Sequence, residues 1–164
     1  MKTVLFVCSG NTCRSPMAEA LLKRRLAGAS LPEPVQVASA GTCAPKGAPA
    51  SDEALTVLLE RGIDGRAHRA SQLTRELIDA ADLILTMKPE HKAHVLSLQP
   101  QAVPRVFSLW EFAAGEDARG VSDPFGQSLE VYRATRDELE ELIAKTAGRL
   151  PEFFGWNREG GQHA

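Results

Sequence analysis

A three-layer α/β/α domain on a four-stranded parallel sheet is the fold this sequence predicts. Two observations carry the prediction. Short apolar runs rich in β-branched residues alternate with segments bearing helix start and stop signals. The chain has 164 residues, the length of one domain, and no internal repeat or long linker divides it.

Thr3 to Val7 is a short apolar run and is predicted to be a buried strand. A helix follows, with Pro16 near its first turn, Gly28 past its end, and Met17, Ala20, Leu21 and Leu26 on one face. Val35 to Ser39 is the second strand. Ser51 caps the next helix, with Asp52 and Glu53 in its first turn and Gly62 at its end. Thr74 caps a short helix reaching Ala80, and Leu83 to Met87 is the third strand. Pro89 opens a helix through Leu98, and Arg105 to Leu109 is the fourth strand. Ala113 to Ser122 is a polar loop ending just before Asp123-Pro124. Ser128 caps the last helix, where Tyr132, Thr135, Leu139, Leu142, Ile143 and Leu150 form one stripe. Residues 1–154 are thus expected to form a single domain, with a flexible Gly-rich, polar tail over 155–164. Strands separated by helices imply right-handed crossovers and a parallel sheet covered on both faces. Such sheets bind ligands at the carboxyl ends of their strands.

Composition narrows the function. The formal net charge of -2 gives no reason to expect nucleic acid or a membrane surface as a partner. The opening apolar run is interrupted at Cys8-Ser9-Gly10, too early for a secretory signal, and no stretch approaches the ~20 apolar residues of a membrane span. The three cysteines, Cys8, Cys13 and Cys43, are an odd count that favours a reducing, cytoplasmic setting and thiol chemistry over a disulfide framework. No metal or other cofactor is expected: there is no CxxC pair, and the four histidines lie far from the cysteines in sequence. His91 and His94, spaced i,i+3, read as solvated helix surface.

The chemistry is concentrated in Cys8-Ser9-Gly10-Asn11-Thr12-Cys13-Arg14-Ser15-Pro16, which leaves a strand and enters a helix. Successive backbone N–H groups in such a turn form a nest for an anion, and the helix N-terminus adds partial positive charge. Gly10 and Asn11 tolerate the left-handed backbone that a tight cradle needs. A thiolate is the nucleophilic form of cysteine, and a helix N-terminus beside an arginine favours it, which points to Cys8. Arg14 has the planar fork that grips two phosphate oxygens, and Ser15 can donate a hydrogen bond to the thiolate.

Residues Val7 to Ala20 resemble the signature of the low-molecular-weight protein tyrosine phosphatase family. The resemblance extends to Ser39-Ala40-Gly41-Thr42, to His68 with Leu73-Thr74, and to Asp123-Pro124, and it covers residues 2 to 150 in order. It implies a four-stranded parallel sheet with helices on both faces, and a reaction in which Cys8 becomes a phosphocysteine. Arg14 would bind phosphate, and Asp123 would protonate the leaving group and then activate water. Ser9, Gly10, Asn11, Thr12, Cys13 and Ser15 would form the phosphate-binding loop, with Asn11 holding it strained and Ser15, Ser39 and His68 as its hydrogen-bond partners. The resemblance also implies a reversible Cys8–Cys13 disulfide, against which stands the plainer reading of Cys13 as a small packing residue. Phosphorylated proteins would be the substrates, inorganic phosphate the product, and the protein a monomer.

Specificity is expected at Thr12 and Phe125. Many family members carry an aliphatic residue where this chain has Thr12, and an aromatic with a hydroxyl or indole where it has Phe125. The opening through Glu19 and the run from Asp123-Pro124-Phe125-Gly126 to Leu142 are similar to bacterial protein-arginine phosphatases. That similarity implies phosphoarginine as substrate, with phosphotyrosine as the alternative. A threonine hydroxyl can meet a guanidinium, whereas a β-branched aliphatic packs on a flat ring. A thiol-dependent arsenate reductase, the less favoured alternative, also uses this loop; its relay needs further downstream cysteines, none follows Cys43, and it would have to borrow a thiol from a small-molecule reductant.

Overall fold

The structure, a computed structural model, describes residues 1–156. Four parallel strands form one sheet in the order β2-β1-β3-β4: β1 Lys2–Cys8, β2 Val35–Gly41, β3 Leu83–Thr86 and β4 Val106–Ser108. Among the described residues six α-helices surround it: α1 Arg14–Ala27, α2 Asp52–Leu59, α3 Arg75–Ala80, α4 Pro89–Leu98, α5 Leu109–Ala114 and α6 Leu129–Phe153. The α/β layering and the parallel sheet are those expected.

β1 is central and buried on both faces, as its uninterrupted apolar run requires. Its side chains alternate between two cores. Val4, Phe6 and Cys8 face α1 and α6, whereas Leu5 and Val7 join Ile78, Val95 and Val106 beneath α3 and α4. The α6 stripe is buried as predicted from Tyr132 to Leu150, and Arg136 is buried with it, its guanidinium held by Glu60 Oε1 at 2.6 Å and the Val57 carbonyl at 3.1 Å.

The strand order determines where a ligand goes. The chain passes from β1 to β2 on one side, then returns across β1 to β3 on the other. Loops leave in opposite directions at that reversal, opening a crevice at the carboxyl end of β1. Cys8 is the last residue of β1.

Three expectations need correction. The fourth strand runs only from Val106 to Ser108, because Ser108 caps α5: its Oγ accepts from Glu111 N–H, and Glu111 reaches back to Ser108 N–H. Helix α5 therefore takes Leu109 from the strand and Ala113–Ala114 from the loop. Packing continues past residue 154, into the expected tail. Trp156 is 9% exposed, packs on Phe154 with ring centroids 5.3 Å apart, and donates from Nε1 to Glu33 Oε2 at 2.9 Å. The rest of the expected tail, 157–164, lies outside the described residues.

Candidate active site

The loop between β1 and α1 closes over a buried thiol. Cys8 Sγ meets Ser15 Oγ at 2.8 Å and accepts the Asn11 backbone N–H at 3.3 Å. Ser15 Oγ also accepts from Asn11 Nδ2 at 2.8 Å, and an amide NH₂ can only donate there, so the Ser15 proton points at the sulfur. Two donors thus converge on Sγ.

Asn11 is the keystone of the turn. Among the described residues it is the one non-glycine with positive φ, at 57°. Its side chain is fully buried and fully paired: Nδ2 donates to Ser15 and, at 2.9 Å, to Ser39 Oγ, while Oδ1 accepts Ser71 N–H at 2.9 Å. Its carbonyl accepts His68 Nε2–H at 2.7 Å. Ser39 Oγ–H in turn donates to Glu19 Oε1 at 2.6 Å. Asn11, Ser15, Ser39 and His68, expected as one set, are brought together. Gly10 differs from expectation: it is not left-handed, and a Cβ there would make only an ordinary 3.5 Å contact with Thr12 Oγ1. The critical glycine is Gly41, where a Cβ would stand 2.4 Å from the Ser9 carbonyl. Only a glycine lets the end of β2 approach the loop so closely.

Arg14 opens α1 with its side chain 3% exposed. Nη1 donates to the Val121 carbonyl at 3.0 Å and Nη2 lies 3.4 Å from Asp123 Oδ2, while the buried Nε has no partner among the described residues. The α1 N-cap is Cys13, whose side chain makes no capping bond, and the first turn holds no acidic residue. An orphan guanidinium N–H and uncapped helix N–H groups beside one thiol suit a tetrahedral oxyanion.

Asp123 stands across the pocket, 46% exposed on its side chain, with Oδ1 accepting Phe125 N–H at 3.1 Å. Its loop is anchored two residues earlier, where Val121 N–H donates to the Met87 carbonyl at 2.8 Å. Gly120 allows that approach, since a Cβ would meet Lys88 Cγ at 2.7 Å and Met87 O at 3.2 Å. The resulting cavity has a volume of about 350 Å³. Cys8 to Arg14, Asp123 and Phe125 line it, together with Cys43 and Pro45 on the wall beyond β2. Phe125 is 68% exposed at its mouth. Thr12 Oγ1 has only a long 3.7 Å contact to Cys13 Sγ, so its hydroxyl can serve a ligand. Cys13 is buried and points into the core, with Sγ 3.2 Å from the Tyr132 hydroxyl and 3.6 Å from Ser51 Oγ. Burial pushes that phenol's pKa well up.

Sequence reasoning missed His91. It is buried rather than solvated, with Nε2 2.9 Å from Ser9 Oγ. The expected partner in the i,i+3 pair, His94, is exposed. Glu19 and Ser71 were missed too, because nothing in their local pattern marks a contact with residues tens of positions away. Burial, reinforced by the Arg14 and Lys88 charges and opposed by Asp123, lowers the His91 pKa from 6.5 to about 4. The folded state therefore binds fewer protons than the unfolded chain between those values. Stability at His91 is complete above about pH 6.5 and is lost as pH falls toward 4. Thermal midpoints of the parent and His91→Gln should converge over that window; a constant gap would show that His91 does not titrate this way.

A buried thiol at the mouth of a helix N-terminus, an orphan arginine and a facing carboxylate are the equipment of a hydrolase that takes phosphate onto cysteine. The chain belongs to the low molecular weight phosphotyrosine protein phosphatase family, whose model matches residues 3–152. It is similar to a protein-arginine-phosphatase of Geobacillus stearothermophilus, 49% identical across 90% of this chain and 95% of that protein. A probable low molecular weight protein-tyrosine-phosphatase of Ralstonia nicotianae, EpsP, is 39% identical across 92% of this chain and 97% of the relative. Among solved structures, the YwlE arginine phosphatase superposes with a TM-score of 0.85 at 42% identity, covering 90% of this chain and 95% of that one. In that structure a serine replaces the active-site cysteine and is phosphorylated. The chain is accordingly a protein phosphatase.

Proposed function

We propose that this protein dephosphorylates phosphoarginine in proteins through a phosphocysteine on Cys8. The observation that carries the reading is the convergence of Ser15 O–H and Asn11 N–H on Cys8 Sγ beside the unpartnered Arg14 Nε. The Cys8 thiolate attacks phosphorus while loop N–H groups and Arg14 hold the phosphoryl oxygens. The P–N bond breaks, and Asp123 gives its proton to the leaving guanidine nitrogen. Asp123 then takes a proton from water, whose oxygen attacks phosphorus; the S–P bond breaks and inorganic phosphate leaves. Ser15 and Asn11 stabilise Cys8 as the departing thiolate in this second step. The phosphoserine in the YwlE variant supports a phosphoryl group bound at this position of the loop.

Phosphoarginine is favoured by the arginine-phosphatase relative at 49% identity and by Thr12, whose hydroxyl is available at the pocket wall. The alternative, phosphotyrosine, is favoured by the name of the matching family and by the tyrosine-phosphatase relative. Turnover of a phosphoarginine protein against a phosphotyrosine peptide decides between them. Thr12→Ile should shift the ratio of kcat/KM toward the aryl phosphate by ~10-fold or more, about the worth of one lost polar contact. An unchanged ratio would remove Thr12 as a specificity residue.

We further propose that the protein acts in the cytoplasm as a monomer, a reading supported by the odd count of three cysteines, which favours a reducing setting. Among the described residues no helix is long and apolar enough to cross a membrane. Both loop cysteines are free thiols, and a Cys8–Cys13 disulfide would require Cys13 Sγ to leave Tyr132 and Ser51.

A further inference from the structure

We propose that His91 is a positioning residue for this reaction, holding the Ser9 hydroxyl so that its proton faces the pocket as a donor to the phosphoryl oxygens. The proposal rests on the reaction at Cys8, and not on which phosphoamino acid is cleaved.

The tautomer follows from the partners. His91 Nδ1 lies 3.1 Å from Lys88 N–H, which can only donate, so Nδ1 carries a lone pair. The ring proton of the neutral imidazole is then on Nε2, 2.9 Å from Ser9 Oγ. Ser9 Oγ therefore accepts, and its own proton is left for another acceptor. Among the described residues no side chain or carbonyl takes that proton. Ser9 is half-buried and lines the cavity beside Cys8 and Arg14, where the acceptors are the oxygens of a bound phosphoryl group.

His91 is well placed to fix a rotamer. It is 6% exposed, in the first turn of a helix that Pro89 starts. The corner that carries it is stitched on both sides: Met87 N–H donates to the Val7 carbonyl at 3.0 Å, and Met87 O accepts from Val121. The same corner thus anchors the strand behind Cys8, the loop leading to Asp123 and, through His91, the Ser9 hydroxyl. A freely rotating hydroxyl must be ordered during the reaction; one already oriented contributes to transition-state stabilisation without that cost.

His91 has a second task, because Nδ1 caps α4. A double-mutant cycle separates the two. The full chain, His91→Phe, Ser9→Ala and the double variant are assayed on para-nitrophenyl phosphate, with thermal midpoints measured for each. His91→Phe should lower kcat by ~10-fold in the parent, the effect of one transition-state hydrogen bond, and by less than ~2-fold in the Ser9→Ala background. Equal losses in both backgrounds would overturn the proposal, since the loss of an α4 cap does not depend on Ser9. Should His91→Phe fail to fold, His91→Asn replaces it in the cycle: its Oδ1 stands about where Nδ1 did and can accept the Lys88 N–H, but the shorter side chain does not extend to Ser9. Cys8→Ser assayed in parallel keeps the two readings distinguishable. Retained turnover there sinks the Cys8 reaction and this proposal with it, whereas absent coupling between Ser9 and His91 sinks this proposal alone.

Discussion

Cys8→Ser should abolish turnover, by ~10⁴-fold or more, while leaving inorganic phosphate and vanadate binding measurable. The size of the loss follows from chemistry. A serine hydroxyl at this position stays protonated at neutral pH, where a thiol can ionise, and no side chain touching Cys8 Sγ is a base that could take the proton. The retention of binding follows from geometry. The oxyanion is to be held by α1 and loop N–H groups and by Arg14, none of which depends on the sulfur. Steady-state assay with titration of the two anions checks both halves. Turnover within ~10-fold of the parent would take Cys8 out of the mechanism. Loss of anion binding together with turnover would mean that the cradle itself depends on the Sγ contacts to Ser15 and Asn11.

Asp123→Ala should slow hydrolysis by ~10²–10⁴-fold for substrates whose leaving group needs a proton, and much less for para-nitrophenyl phosphate, whose leaving group departs as a stable anion. Asp123 is placed for this by its loop rather than by burial. Oδ1 is fixed by Phe125 N–H, and Oδ2 faces the pocket near Arg14. The half-exposed side chain can exchange protons with water, which the second step requires. The informative readout is the ratio of losses across substrates of graded leaving-group quality. An equal loss on all of them would indicate that Asp123 orders Arg14 instead of transferring protons, because their 3.4 Å ion pair serves every substrate alike.

The legible parts of this protein are those governed by neighbours in sequence. The apolar runs of β1, β2 and β3, and the caps at Ser51, Thr74 and Ser128, act over a few residues, and each is where local chemistry puts it. Ser108-Leu109-Trp110-Glu111 is an equally local capping box, but it begins inside the short run Arg105 to Leu109, where strand and helix patterns overlap. Trp156 was lost for a different reason: a Gly-rich, polar tail says nothing of one aromatic that finds Glu33 and Phe154.

The same division runs through the site. Cys8, Asn11, Arg14 and Ser15 could be read directly because one strand-to-helix turn carries them all and its backbone geometry is a local matter. Ser39, His68 and Asp123 could be named only through resemblance, since Ser39 lies on β2, His68 between α2 and α3, and Asp123 between α5 and α6, each far from the loop in sequence. His91, Glu19, Val121 and Gly120 carried no sequence signal at all. Ser9 and His91 are 82 residues apart. They meet because parallel strands in the order β2-β1-β3-β4 bring the loop after β1 and the helix after β3 to one end of the sheet. Local pattern thus accounts for every strand, for the helices other than α5, and for the nucleophilic loop. The tertiary structure decided which distant side chains orient that loop, because such contacts depend on sheet order and close packing, and neither leaves a periodic trace in the chain.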